Sequence, residues 1–205
     1  MTERRESIFL GLDLAGSPKR PTGWAAIDEN RRMFINPGEL FSDEQIRRKI
    51  DDLSPQLIGI DAPLSLPQGK GGCYSSRFCD RQLRELGISC FPPALLGSLT
   101  FRGVKLVQEL KEKNYSFIEV YLRATQKVLG IKPEGKKPTL KWRESLQESL
   151  SSWILGIPSP QKLVFSSHIL DALLCAYTAY CKEKGKFQEI GDEEGIIVIP
   201  LKTIL

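Results

Sequence analysis

Two short stretches decide the fold, 8-IFLGLDLAG-16 and 58-IGIDAPLSL-66. Each is a near-continuous apolar run of the kind that forms a strand buried on both faces. Each also carries an aspartate, Asp13 and Asp61, with a glycine two residues ahead of it. Residues two apart on a strand share a face, so Asp13 points as Gly11 and Phe9 do, and Asp61 as Gly59 and Leu57 do. A charge in a core strand is costly unless something meets it. If the strands are parallel neighbours, an interstrand spacing of about 4.8 Å brings the two carboxylates within reach of one ion. The glycines would then leave room for a metal or substrate beside the acids.

The chain between and around these stretches supports that placement. The Gly/Pro-dense loop 16-GSPKRPTG-23 turns into 24-WAAID-28, and a third strand follows at 33-MFIN-36 or 38-GELF-41. Connections this short make an antiparallel meander. Ser42 caps an amphipathic helix, 43-DEQIRRKIDDL-53, with its acids early and its bases later. Strand, helix, strand implies a right-handed crossover that lays 56-QLIGIDA-62 parallel to an earlier strand. Both aspartates then sit at the carboxyl ends of their strands, the edge where open α/β sheets bind ligands.

Farther along, residues 63–103 read as an irregular insertion, with a short helix in 77-RFCDRQLRELG-87 and an apolar loop, 90-CFPPALLGSLTF-101. A helix at 103–114, a strand at 116–122 and a short helix follow. Then come a basic loop, 130-GIKPEGKKPTLKWR-143, and a helix at 144–155. The strongest helical signal is 167-SHILDALLCAYTAYCKEKG-185, capped by Ser166 or Ser167 and closed by Gly185. A GDEEG turn leads to a last strand, 195-GIIVIPL-201. The pattern is α/β: a central mixed sheet of five or six strands containing an antiparallel meander, flanked by helices.

At 205 residues, 41% hydrophobic and 26% charged, the chain suits one globular domain with a substantial core. A net charge of +4 permits a nucleic-acid partner but is too small for a histone-like binder. No apolar run is long enough to span a bilayer. The start has two arginines but no h-region, so no signal peptide is read there. Five cysteines, an odd number, argue for reduced thiols and a cytoplasmic setting. Cys73, Cys79 and Cys90 have five and ten residues between them, with no C-x-x-C pair and no histidine nearby. Zinc binding by these three is the weaker reading.

Two carboxylates held close repel each other, and a divalent cation resolves the repulsion. Mg²⁺ or Mn²⁺ takes oxygen ligands, keeps several waters and needs only a few protein carboxylates. Either aspartate alone reads as a turn cap, Asp61 before Ala-Pro especially; it is the repetition that favours a functional pair. His168 and Asp171 are three apart and share a helix face with Ala172, Cys175, Ala176 and Ala179, small residues that allow close packing on a sheet. His168, the only histidine, reads alone as a structural donor, and the H-x-x-D pairing raises it to a candidate. Glu119 is a third acid in an apolar strand, 117-FIEVY-121, or else a solvent-facing edge residue. Asp192, Glu193 and Glu194 read as solvated turn residues. Lys132, Lys136, Lys137, Lys141 and Arg143 form either a solvated loop or a phosphate contact, with Trp142 placed to stack on a base.

The order of these features resembles the ribonuclease H-like superfamily of metal-dependent nucleases. The helix HILDALLCAY is similar to the corresponding helix of Holliday-junction resolvases. GLDLAG, GIDAPLSLP, RFCDRQLRELGI, IEVYL, HILDALLCAY and GDEEGIIVIP together resemble the domain-of-unknown-function family numbered 429, predicted nucleases of ribonuclease H-like fold. The resemblance implies that Asp13, Asp61 and Asp171 ligate metal, with Glu119 and His168 in support. It also implies a site role for Arg77 and Asp80, Arg77 on a phosphate; a helix-surface ion pair explains that pair equally. The chain departs from the family's E-V-Y/H-P pattern at Leu122, which puts the aim of Glu119 in question.

The leading expectation is a nuclease that hydrolyses DNA or RNA phosphodiesters by two-metal chemistry. A degenerate nuclease fold serving as a binding or regulatory module is the alternative. A phosphotransferase of the actin or sugar-kinase kind, which also begins G-x-D-x-G, ranks lower because no second Gly-rich phosphate loop is present. Substrate, pathway and oligomeric state are not legible in the sequence.

Overall fold

The computed structural model describes residues 7–68 and 75–201. The chain opens with the meander: β1 (Phe9–Asp13), β2 (Thr22–Ile27) and β3 (Gly38–Leu40). Of the two readings of the third strand, 38–40 is correct; Met33 makes only an isolated bridge to Ile27. Helix α1 (Asp43–Leu53) follows, and Ser42 and Gln45 cap it reciprocally, a device that satisfies two otherwise orphaned backbone donors. Strand β4 (Leu57–Ile60) then lies parallel to β1, with Gly11 opposite Gly59 and Leu12 opposite Ile60. The expected neighbours are neighbours, in register.

Next come α2 (Phe78–Glu85), α3 (Pro93–Leu96) and α4 (Ser98–Glu112). The stretch 90–101 is therefore not all loop. Pro93 opens α3, where a missing N–H costs nothing, and Gly97, at φ 45°, separates α3 from α4. Strand β5 (Phe117–Val120), α5 (Leu122–Leu129), α6 (Leu140–Ser151), α7 (Ser167–Glu183), β6 (Phe187–Asp192) and β7 (Gly195–Pro200) complete the order. Among the described residues no helix is long and apolar enough to cross a membrane.

The sheet has seven strands in the order β3-β2-β1-β4-β5-β7-β6. Its first five are a meander followed by parallel crossovers, as the sequence pattern predicts. The strand beyond expectation is β6. Its FQEIGD alternates with polar residues because it is an edge strand, paired only with β7. Helix α6 starts at Leu140, earlier than expected, because the Thr139 side chain accepts from the Trp142 N–H. Lys141, Trp142 and Arg143 are therefore helical, and Trp142, 7% exposed, lies in the core. Burial there removes it as a base-stacking residue.

Two cores sandwich the sheet. Phe9, Leu57, Ile118 and Val120 pack with α7 on one face; Leu10, Leu12, Ile58 and Ile60 pack with α1 and α4 on the other. The glycines of the two aspartate strands explain how α7 sits so close. A Cβ on Gly11 would fall 1.9 Å from the Ala172 carbonyl oxygen, and one on Gly59 would fall 2.3 Å from that of Cys175. Those glycines make room for the backbone of α7, not for a ligand as the sequence had suggested. The helix bearing His168 and Asp171 is thereby drawn down onto the strands bearing Asp13 and Asp61.

Candidate active site

Asp13 ends β1, and Asp61 follows β4, its N–H donating to the Leu12 carbonyl at 2.9 Å. Register and strand period aim both side chains at the α7 face. There His168 Nδ1 meets Asp13 Oδ2 at 2.6 Å. Asp171, one helical step on, is 1% exposed. Its Oδ2 accepts from the Lys137 ammonium, while its Oδ1 is buried without a hydrogen-bond partner. Asp61 accepts from the backbone N–H of Leu122. Leu122 is the first residue of α5, a position proline also favours, so the departure from the family pattern leaves the helix start intact. It also gives Asp61 a donor that proline lacks.

These groups act on one another electrostatically. Burial, then Asp13, then Asp171 push the Asp61 carboxyl well above the usual carboxylate range. Burial raises Asp171 to about 6, with Lys137 opposing and Asp13 adding. The hydrogen bond that His168 donates to Asp13 raises the imidazole, against burial. Burial tends to lower Lys137, but Asp171, Asp13 and Asp61 outweigh it and hold the ammonium above its usual value. One lysine therefore feels all three acids.

Among the described residues, no three His, Cys, Asp or Glu side chains stand close enough, as arranged, to ligate one metal ion. The donor set nevertheless suits one. It consists of hard carboxylate oxygens, one of them buried and unpartnered, around a point where a cation, the Lys137 ammonium, already sits.

Glu119 stands elsewhere. In the β4–β5 register it lies opposite Ile60, not beside Asp61, so its side chain leaves the sheet on the face away from α7. Arg77 meets it there. The guanidinium donates to Glu119 from Nη1 at 2.7 Å and Nη2 at 2.6 Å, to Asp80 from Nε and Nη2, and to Ser65 from Nη1. All five of its N–H donors are used, and the residue is 1% exposed. Arg77 and Asp80 are thus a buried ion pair rather than a surface one, and in this arrangement Arg77 has no donor left for a phosphate. Its neighbour Glu119 also accepts from the Leu64 N–H at 2.8 Å. A cavity of about 160 Å³ is lined by this network and by Asp61, with Phe91 and Tyr121 among others.

The remaining candidates spread out. Lys141 is exposed and pairs with Glu134 at 2.9 Å. Glu194, expected to be solvated, accepts from the backbone N–H groups of Gln68 and Phe78. Cys73 lies outside the described residues. Cys79 and Cys90 both approach Asp80 Oδ1, at 3.8 and 3.6 Å, and burial raises both thiols. The sequence marks Lys137 and Lys141 of the basic loop as phosphate contacts; the fold sets Lys137 on Asp171 instead, a pairing that no local pattern announces.

With this geometry in hand, the family follows from comparison. The family model described as "Protein of unknown function (DUF429)" matches residues 11–195. The chain belongs to that family. No curated protein is detectably similar to it. Among solved structures, RuvC of Thermus thermophilus aligns with 12% identity and a TM-score of 0.47, covering 87% of this chain and 96% of that one. A likeness at that level says nothing of residues or chemistry.

Proposed function

We propose that this DUF429 protein is a divalent-metal-dependent nuclease that hydrolyses nucleic-acid phosphodiesters at the edge where Asp13, Asp61 and Asp171 converge. The observation that carries the reading is the convergence itself: β1, the end of β4 and α7 bring three carboxylates to one edge of the sheet, where burial and the neighbouring acids raise Asp61 and Asp171 above the usual carboxylate range. Such crowding is destabilising unless a cation offsets it. Asp13, Asp61 and Asp171 would hold Mg²⁺ or Mn²⁺, which when bound polarises a phosphoryl oxygen and lowers the pKa of its water.

The protein's own groups do the rest. Asp13 fixes the His168 ring through Nδ1, leaving Nε2 to exchange a proton. An imidazole with a raised pKa is suited to giving that proton to the leaving oxygen. Lys137, half exposed beside the acids, and the exposed Lys136 and Lys141 present positive charge to the phosphate backbone. Arg77 and Glu119 act at a distance, by fixing β5 and the segment after Asp61.

One observation favours a second reading. Lys137 already neutralises part of the cluster, as it would in a non-catalytic binding module that no longer takes metal. A panel of duplex, single-stranded, hybrid and branched substrates with Mg²⁺ or Mn²⁺ separates the two. The nuclease reading expects metal-dependent cleavage of at least one substrate, lost by on the order of a thousandfold in Asp13→Asn, a barrier change of about 4 kcal/mol. Binding without cleavage of any substrate favours the module.

A further inference from the structure

The acid cluster poses a problem of charge. β1, the end of β4 and α7 bring three carboxylates together, and Asp171 is 1% exposed with one oxygen unpartnered, yet they do not form a ready metal cage. What keeps the site assembled is a side chain. The Lys137 ammonium bonds Asp171 Oδ2, feels Asp13 and Asp61, and lies 5.4 Å from the Trp142 ring centroid. Asp171 is almost wholly buried while the Lys137 side chain is half exposed. The lysine can therefore leave toward solvent; the aspartate cannot.

Its tether fits that asymmetry. Lys137 belongs to the segment between α5 and α6, just ahead of Thr139, which caps α6. Its neighbours Gly135, Lys136 and Pro138 are exposed. A lysine chain has four rotatable carbons and a compact ammonium, so the charge can move while the backbone stays fixed at the cap.

We propose that Lys137 is a resident counter-ion of the acid cluster, which a divalent cation must displace from Asp171 in order to bind. This regulation of the site rests on the metal reading above. Both oxygens of Asp171 then become available, the unpartnered Oδ1 and the released Oδ2, and the ammonium swings out of the cluster and away from the Trp142 face. The lysine lowers the site's affinity for metal in exchange for keeping the acids from repelling one another when metal is absent.

The test is calorimetric titration of Mn²⁺ into the full chain at pH 8, comparing wild type with Lys137→Gln and Lys137→Arg. The proposal expects Lys137→Gln to bind at least about tenfold tighter, about 1.4 kcal/mol, with Lys137→Arg, which keeps a cation, near wild type. A second readout follows the ammonium itself. In a Trp24→Phe/Trp153→Phe background Trp142 is the remaining indole. Mg²⁺ should shift its emission when Lys137 is present and leave it unchanged in Lys137→Gln. Equal Mn²⁺ affinity in wild type and Lys137→Gln, with a Trp142 signal indifferent to Mg²⁺, overturns the counter-ion role and leaves the metal site standing. Absence of binding in wild type with binding in Lys137→Gln supports it in its strongest form. Absence of binding in both overturns the metal reading and this inference together.

Discussion

The two faces of the sheet each hold a cluster of acids, and the two differ in how completely those acids are partnered. On the face away from α7, Asp80 and Glu119 surround Arg77, and every guanidinium donor has a partner. On the α7 face, Asp13, Asp61 and Asp171 share one half-exposed lysine and one histidine, and a buried carboxylate oxygen has no partner. Closed networks of the first kind rigidify a core. Incomplete ones of the second kind persist where something else is meant to bind, because function tolerates a local cost in stability.

Breaking the closed network should produce the largest loss of stability. Arg77→Met strands Asp80 and Glu119 without their cation, and removing one partner from a buried ion network costs about 3–5 kcal/mol. At about 2–4 °C per kcal/mol for a chain of this size, calorimetry should show a melting point lower by on the order of 10 °C. A change of only a degree or two would mean the network is not a structural element.

The open cluster should behave in the opposite way. Asp61 has a folded pKa well above its unfolded value, so the folded state holds the proton to higher pH than the unfolded chain does. Its contribution in the metal-free protein therefore falls as pH rises above about 4, with Asp171 following through its pKa of about 6. Asp61→Asn should melt higher than wild type in EDTA at pH 8, by about 2–4 °C per kcal/mol of relieved repulsion, with the gap closing toward pH 5. A variant that melts lower at pH 8 would contradict the assignment of repulsion to this cluster.

The smallest effect sharpens the comparison at its margin. His168 is bonded to Asp13 but is 39% exposed, so solvent screens the pair and His168→Gln should cost under about 1 kcal/mol. Because the histidine pKa is raised, that loss should be complete below pH 6.5 and fade as pH rises through the folded pKa. Melts at pH 5.5 and pH 9 check this; an equal loss at both would assign His168 a packing role instead.

Much of the placement of the candidate residues was legible because short-range rules govern it. Strand period and a parallel register bring Asp13 and Asp61 together, and helical spacing with small residues lays Asp171 on the sheet. Long-range facts were not legible. Glu119 looked equivalent to the other acids, but its face depends on an interstrand offset that sets it opposite Ile60. Gly11 and Gly59 were correctly singled out for the wrong reason, since nothing local shows that the backbone of α7 would pass within van der Waals distance. Trp142 read as a loop aromatic because the Thr139 cap was overlooked within a basic run. Lys137 and Lys141 stood out in 130–143 as phosphate contacts, but no local pattern shows that Lys137 meets Asp171.

The central claim is that the incomplete cluster is completed by a divalent cation. Anomalous diffraction from crystals grown with Mn²⁺ tests it most directly. The account predicts manganese density coordinated by Asp13, Asp61 and Asp171, with the Lys137 ammonium withdrawn from Asp171. An anomalous map without density at that point, and Lys137 still bonded to Asp171, would contradict it.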